Sequence, residues 1–215
     1  MRRKKLRAER QGSRVKKRRP KKPRKPLRYK QDPNDPKQLI LRNGTRLRRS
    51  YDDVDLYTTE NERIYSLTRY GLRPLKIQRI KKRNYGKKTR SGTTQGQRYP
   101  YIMFRGHKYE VHVLVTLAWL RARESGEEID HINGNIDDCR LINLRIISAE
   151  ENDRCAGILR RLRNASVKYN LPELNPLNTS REELIERFER YKGLSNKQIA
   201  RDIRMEMNKV LLDRI

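Results

Sequence analysis

Met1 to Lys30 reads MRRKKLRAERQGSRVKKRRPKKPRKPLRYK, with seventeen lysines and arginines against one glutamate. Almost nothing in such a run can be buried, because each charge taken out of water needs a partner and none is at hand. Any core must therefore form downstream. Pro20, Pro23, Pro26, Pro33 and Pro36 follow closely, and they favour extended chain over helix. The expectation is a disordered basic arm over residues 1–37 that tracks phosphates, with Lys16, Lys17, Arg18 and Arg19 as contacts. A solvated tail that serves only targeting or solubility is the plainer alternative.

The rest of the chain inherits a limited apolar supply. With 34% hydrophobic residues in 215, a small core with long extensions is expected. A net charge of +28 attracts polyanions, of which nucleic acid is the commonest. No run of 18 apolar residues is present, so membrane insertion is set aside. Cys139 and Cys155 have no C-x-x-C spacing, which argues against a disulfide framework or structural zinc and fits a reducing compartment. The N-terminus lacks an apolar stretch behind its charges, so no secretory signal is expected and a cytoplasmic protein is.

Residues 38–98 carry scattered apolar positions that suit short strands better than helices. Asn43-Gly44 between apolar runs predicts a hairpin turn, and the glycines spread through 83–98 predict a loop. From Tyr101 the pattern sharpens. "YIMF" and "YEVHVLV" flank the turn-like "RGHK" and predict two antiparallel strands, the second running into a helix on which Leu114, Leu117, Ala118 and Leu120 recur. Trp119, the sole tryptophan, is assigned to the core.

The stretch Ile129 to Asn152, IDHINGNIDDCRLINLRIISAEEN, predicts a strand through "EEIDHI", a tight turn at Asn133-Gly134, and a returning strand through "LINLRIIS". Ser148-x-x-Glu151 then opens a helix with a capping box. The same signature precedes two more helices, at Ser180-x-x-Glu183 and Ser195-x-x-Gln198, with Gly193 as the C-cap between them. A helix-turn-helix and a plain helical pair packed on the core both fit, and the pair is the simpler reading.

Strand neighbours point to opposite faces, so Asp130 and His131 can serve one ligand only where the strand ends, and Asn133-Gly134 supplies an ending. A helix opened by Ser148 can bring the Asn152 amide oxygen to the Asp130 carboxylate. Two such oxygens, completed by water and phosphate, suit Mg²⁺ or Mn²⁺ better than zinc. An unligated imidazole beside them can take a proton from water. These parts describe metal-assisted hydrolysis of a phosphodiester.

Asp130-His131, Asn143-Leu144-Arg145 and Asn152 together resemble the motif of the HNH (ββα-metal, His-Me finger) endonucleases, in the phage and intron homing variety whose third position is Asn. The "VHVLVTLAWL" segment is similar to that family's His-x-Leu-Val entry, and the match runs from about Tyr101 to Leu162. "YSLTRYGLR", Tyr65 to Arg73, is similar to a short nuclease-associated DNA-binding module. The resemblance implies His131 as general base, Asp130 and Asn152 as ligands of one divalent metal, and Asn143 as the residue that fixes the loop beneath the base. It leaves His112 to packing or to a phosphate contact. Arg140, Arg145, Arg69 and Arg73 join the arm as expected DNA contacts, while Cys139 departs from the Asn common at its position.

The whole implies an α+β chain: an arm at 1–37, a β-rich DNA-binding segment and loop at 38–98, an HNH nuclease domain at 99–165 and a helical region at 166–215. Its expected work is Mg²⁺- or Mn²⁺-dependent cleavage or nicking of double-stranded DNA as a monomer, without membrane contact. A non-catalytic nucleic-acid binder that keeps the fold is the alternative, as is a nuclease serving phage packaging.

Overall fold

The computed structural model describes residues 25–79 and 99–213. Lys16, Lys17, Arg18, Arg19 and the loop expected at 83–98 lie outside the described residues. A six-stranded antiparallel sheet comes first, its strands hydrogen-bonded in chain order: β1 (Tyr29–Gln31), β2 (Gln38–Leu41), β3 (Arg46–Arg49), β4 (Leu56–Thr58), β5 (Ile64–Thr68) and β6 (Gly71–Pro74). The β2–β3 turn falls at Asn43-Gly44, where Gly44 takes φ 80°. β1 begins inside the span read from sequence as an arm, and residues 29–31 pair there with 39–41.

This sheet buries both of its faces locally. Leu39, Leu47, Tyr57, Tyr65 and Leu72 form one cluster. Their strand neighbours Leu56 and Ile64 turn the other way, into the main core with Ile102, Val111, Leu114, Val115, Ile129 and Leu144. Within the module-like stretch, Gly71 has φ 114°, and a Cβ there would come 3.1 Å from the Leu27 carbonyl oxygen. That glycine lets the incoming chain bridge Leu27 to Leu72.

A hairpin of β7 (Tyr101–Phe104) and β8 (His107–Glu110) leads into helix α1 (Val111–Trp119). The turn is Arg105-Gly106, both at positive φ, so His107 opens β8 instead of lying in the turn. Sequence reading ran the second strand into a helix over His112 to Arg123; the helix in fact ends at Trp119. The chain becomes helical one residue earlier than read, at Val111, because Val111, Leu114, Val115 and Ala118 then form one buried stripe. Trp119 is partly buried against this core, and its Nε1 donates to Thr58 Oγ1 at 3.1 Å.

β9 (Glu127–His131) and β10 (Leu144–Ser148) pair antiparallel, with His131 opposite Leu144 as the last pair. Residues 141–143, read as strand, form a 3-10 turn instead, which lets the Asn143 backbone close the loop: its N–H donates to Arg140 O at 2.9 Å. α2 (Ala149–Tyr169) starts where Ser148 Oγ accepts from Glu151 N at 3.2 Å, and it ends at Asn170 in the left-handed region. α3 (Arg181–Arg190) and α4 (Asn196–Leu212) start at Ser180 and Ser195, as the spacing predicts. They pack as a pair on α2, with Leu184, Phe188, Tyr191, Ile199 and Ile203 meeting Ile158, Leu159 and Leu162. Arg187 ties the pair together between Glu183 at 3.0 Å and Glu206 at 2.6 Å. No helix among the described residues is long and apolar enough to cross a membrane.

Candidate active site

β9 stops at His131 because the next residues must reverse, and Gly134 N closes that turn on His131 O at 2.6 Å. The strand end frees Asp130 and His131 from strict alternation, and both line one cleft of about 320 Å³ together with Asn152 from the second turn of α2. The same cleft is walled by Tyr99, Arg160 and Arg163. A larger cleft of about 600 Å³ lies beside α1, but its Arg121 and Glu127 are locked on each other at 2.6 Å and it holds no histidine.

Asp130 is buried, and its Oδ2 accepts from Arg145 Nε at 2.8 Å. Burial pushes the Asp130 carboxyl above the usual carboxylate range, and the Arg145 guanidinium pulls it back down. Arg145 is itself held from behind. Its Nη2 donates to Cys155 Sγ at 3.2 Å, and its guanidinium lies 4.8 Å from the centre of the Phe188 ring on α3. The residue read from sequence as a DNA contact is thus turned inward, because a buried carboxylate needs a charge partner more than the surface needs another cation.

His131 is buried too. Tyr99 stacks on it with ring centres 5.8 Å apart and planes 11° off parallel, and the His112 ring is 5.4 Å away. Burial, with the neighbouring His112 adding to it, takes the His131 imidazole down to about 4, so the ring is neutral at pH 7. Cys139 Sγ sits 4.0 Å from His131 Nε2. Burial pushes that thiol up to about 12, so it stays protonated. His112 is buried behind Tyr99, with Nδ1 lacking a hydrogen-bond partner among the described residues and Nε2 3.8 Å from Glu110. Of the two roles left open for it, packing matches this placement, since a ring so buried has no surface to offer a phosphate.

Asn143 spans the loop: its Oδ1 accepts from Asn133 N at 3.0 Å and its Nδ2 donates to Asp138 O at 2.9 Å. Both ends of the loop are thereby fixed at one side chain, just under His131. The N-terminal sheet holds the same loop from outside, where Glu62 accepts from Cys139 N at 2.8 Å and Glu60 O accepts from Leu141 N at 2.8 Å. Arg140 is exposed and forks onto Asp138 with two bonds of 2.7 Å. Arg69 and Arg73 are exposed on the β5–β6 hairpin, Arg69 over the Tyr70 ring at 4.6 Å.

One residue that sequence reasoning missed is Glu128. It shares a strand face with Asp130, two positions on, and accepts from Asn152 Nδ2 at 2.6 Å. That bond leaves the amide oxygen as the remaining end of Asn152, just as Arg145 leaves Oδ1 as the remaining oxygen of Asp130. The donor set is then one carboxylate oxygen and one amide oxygen, which fits a hard divalent cation that keeps several waters. Among the described residues, no group of three or more His, Cys, Asp or Glu side chains is arranged to hold a metal.

Residues 109–154 match the profile of the HNH endonuclease family. A solved structure of the HNH homing endonuclease I-HmuI, described for its DNA binding and cleavage, aligns at 25% identity with a TM-score of 0.32, covering 46% of this chain and 49% of that one. In that match the chain spans about half the length of its relative. A comparison with curated proteins gave no match.

Proposed function

We propose that this chain, an HNH endonuclease by the family pattern of its residues 109–154, hydrolyses DNA phosphodiester bonds with a divalent cation, in the manner of a homing-type nicking or cleaving enzyme. The observation that carries the reading is the meeting of Asp130, His131 and Asn152 on one cleft. Asp130 Oδ1 and the Asn152 amide oxygen would hold Mg²⁺ or Mn²⁺, which supplies charge stabilisation at the phosphate and the leaving oxygen. His131, neutral at pH 7, takes a proton from the attacking water, and such a positioned base contributes ~10²- to 10⁴-fold in rate. Tyr99 and Asn143 keep that ring and its loop in place. Glu128 orients the amide of Asn152. One such site in a monomer cuts one strand at a time.

A plasmid-nicking assay with Mg²⁺ or Mn²⁺ tests the reading: wild type should convert supercoiled to open-circular DNA, and His131→Ala should lose ~10²-fold or more of the rate. Equal rates for the two proteins would sink the mechanism. Mn²⁺ titration followed by electron paramagnetic resonance adds a readout free of turnover. Asp130→Asn should weaken binding of the ion, whereas a pure nucleic-acid binder would show no Mn²⁺ site there to lose.

A further inference from the structure

The arginines of α2 divide by what they meet. Arg154 lies 3.5 Å from the Glu151 carboxylate, and Arg161 Nη2 donates to Asn196 Oδ1 at 2.9 Å. Arg160 and Arg163 have no ion-pair or hydrogen-bond partner among the described residues, and both line the cleft that holds Asp130, His131 and Asn152. The acid that lines the cleft, Asp130, is already engaged by Arg145, and Glu128 on the same strand by Asn152.

Helix geometry puts Arg163 on the face of α2 that carries Asn152 and Arg160 at the flank of that face, and both line the cleft. At about 100° per residue, positions eight and eleven beyond Asn152 return to within roughly 80° and 20° of its direction, and they lie about 12 and 16 Å further along the axis. Ala156, on the same face, leaves the space between Asn152 and Arg160 open. Arg163 also reaches the turn after His131: its Nη2 is 3.1 Å from where a Cβ on Gly134 would sit. A row of two unpaired cations therefore leads away from the place where the bond is cut. A DNA strand advances 3.4 Å per nucleotide, so the row spans a few phosphates of a strand laid along it.

From this arrangement we infer that Arg160 and Arg163 are a phosphate clamp, binding the DNA backbone beside the scissile phosphate and holding that strand along α2. The inference rests on the DNA-cleaving reading and adds the residues that seat the substrate. Guanidinium suits the task because it forks onto two phosphate oxygens at once. It also offsets the repulsion that Asp130, Glu128 and Glu151 would otherwise exert on an incoming polyanion.

The test is fluorescence anisotropy with a short labelled duplex over a KCl series, in a His131→Ala background so that the DNA stays intact. The slope of log affinity against log salt should become shallower by about 0.9 for Arg160→Gln or Arg163→Gln and by about 1.8 for the double variant. Arg161→Gln, whose guanidinium is engaged by Asn196, should leave the slope in place. An unchanged slope in the double variant, or an equal change in Arg161→Gln, overturns the clamp. Plasmid nicking by proteins with native His131 runs alongside: nicking without the slope change removes the clamp alone, and the slope change without nicking removes the nuclease reading and leaves the clamp standing.

Discussion

Replacing Arg145 with Met should damage the fold more than almost any other single change in the site, and the size of the loss can be worked from the contact. The pair Arg145 Nε to Asp130 Oδ2 is 2.8 Å long, with side-chain exposures of 16% and 7%. Two charges at about 4 Å interact by roughly 4 kcal/mol at an effective dielectric near 20, and salt screens such a pair little. Removing one partner from a buried pair costs about 3–5 kcal/mol, since the other is left charged and desolvated. Asp130 already titrates above its ordinary value through burial, and losing Arg145 removes the largest influence that holds it down. A carboxyl raised in the folded state contributes stability that is complete below its unfolded value of about 3.9 and is lost as pH rises through the folded value. The penalty of Arg145→Met should therefore be full at pH 7 and shrink in acid. Urea unfolding of wild type, Arg145→Met, Asp130→Asn and the double variant closes the cycle. The double variant should recover most of the loss, with a coupling of about 2 kcal/mol or more. A coupling under about 0.5 kcal/mol would falsify the view that this pair is what makes a buried carboxylate tolerable.

Three further outcomes follow from other contacts. His112 and His131 both titrate down to about 4 because they are buried, so stability present above about pH 6.5 should be lost as pH falls toward 4, by roughly 3 kcal/mol for one histidine; His112→Gln should flatten that loss in denaturation curves, and an unchanged curve counts against it. Asn143→Ala removes two hydrogen bonds that close the loop and should cost about 1–3 kcal/mol in urea unfolding, lowering kcat more than it raises KM; a variant of wild-type stability would show the loop closes without it. Gly134→Ala meets both a positive φ of 67° and contacts of 3.1 Å to Arg163 and Leu159, whereas Gly106→Ala meets positive φ alone with no described residue within 4 Å, so the first should lower the melting temperature more than the second.

Much of the fold was legible in local pattern. The Asn43-Gly44 hairpin, the strand ending at His131 and the three serine-capped helices each rest on residues whose preference is set within one turn of chain. Over Val111 to Val115 the strand and helix patterns overlap, because β-branched residues satisfy both over so short a run, and only the burial of Val111, Leu114 and Val115 on one stripe sets where the helix begins. Leu141 to Asn143 went the same way. Three apolar and amide residues look like strand until the loop must close on Arg140 and Asp138.

Sequence alone singled out the candidates for chemistry, since Asp130, His131, Asn143 and Asn152 are marked by type and spacing within two dozen positions. Tertiary structure decided what surrounds them. Arg145 had to leave the surface because Asp130 is buried, Glu128 became the partner of Asn152 only once α2 lay across β9, and Phe188, more than forty residues further on, backs the arginine that backs the carboxylate. The physical reason is that spacing fixes the neighbours of a backbone, while desolvation, which sets the charge partners a side chain requires, is known only when the chain has closed around it.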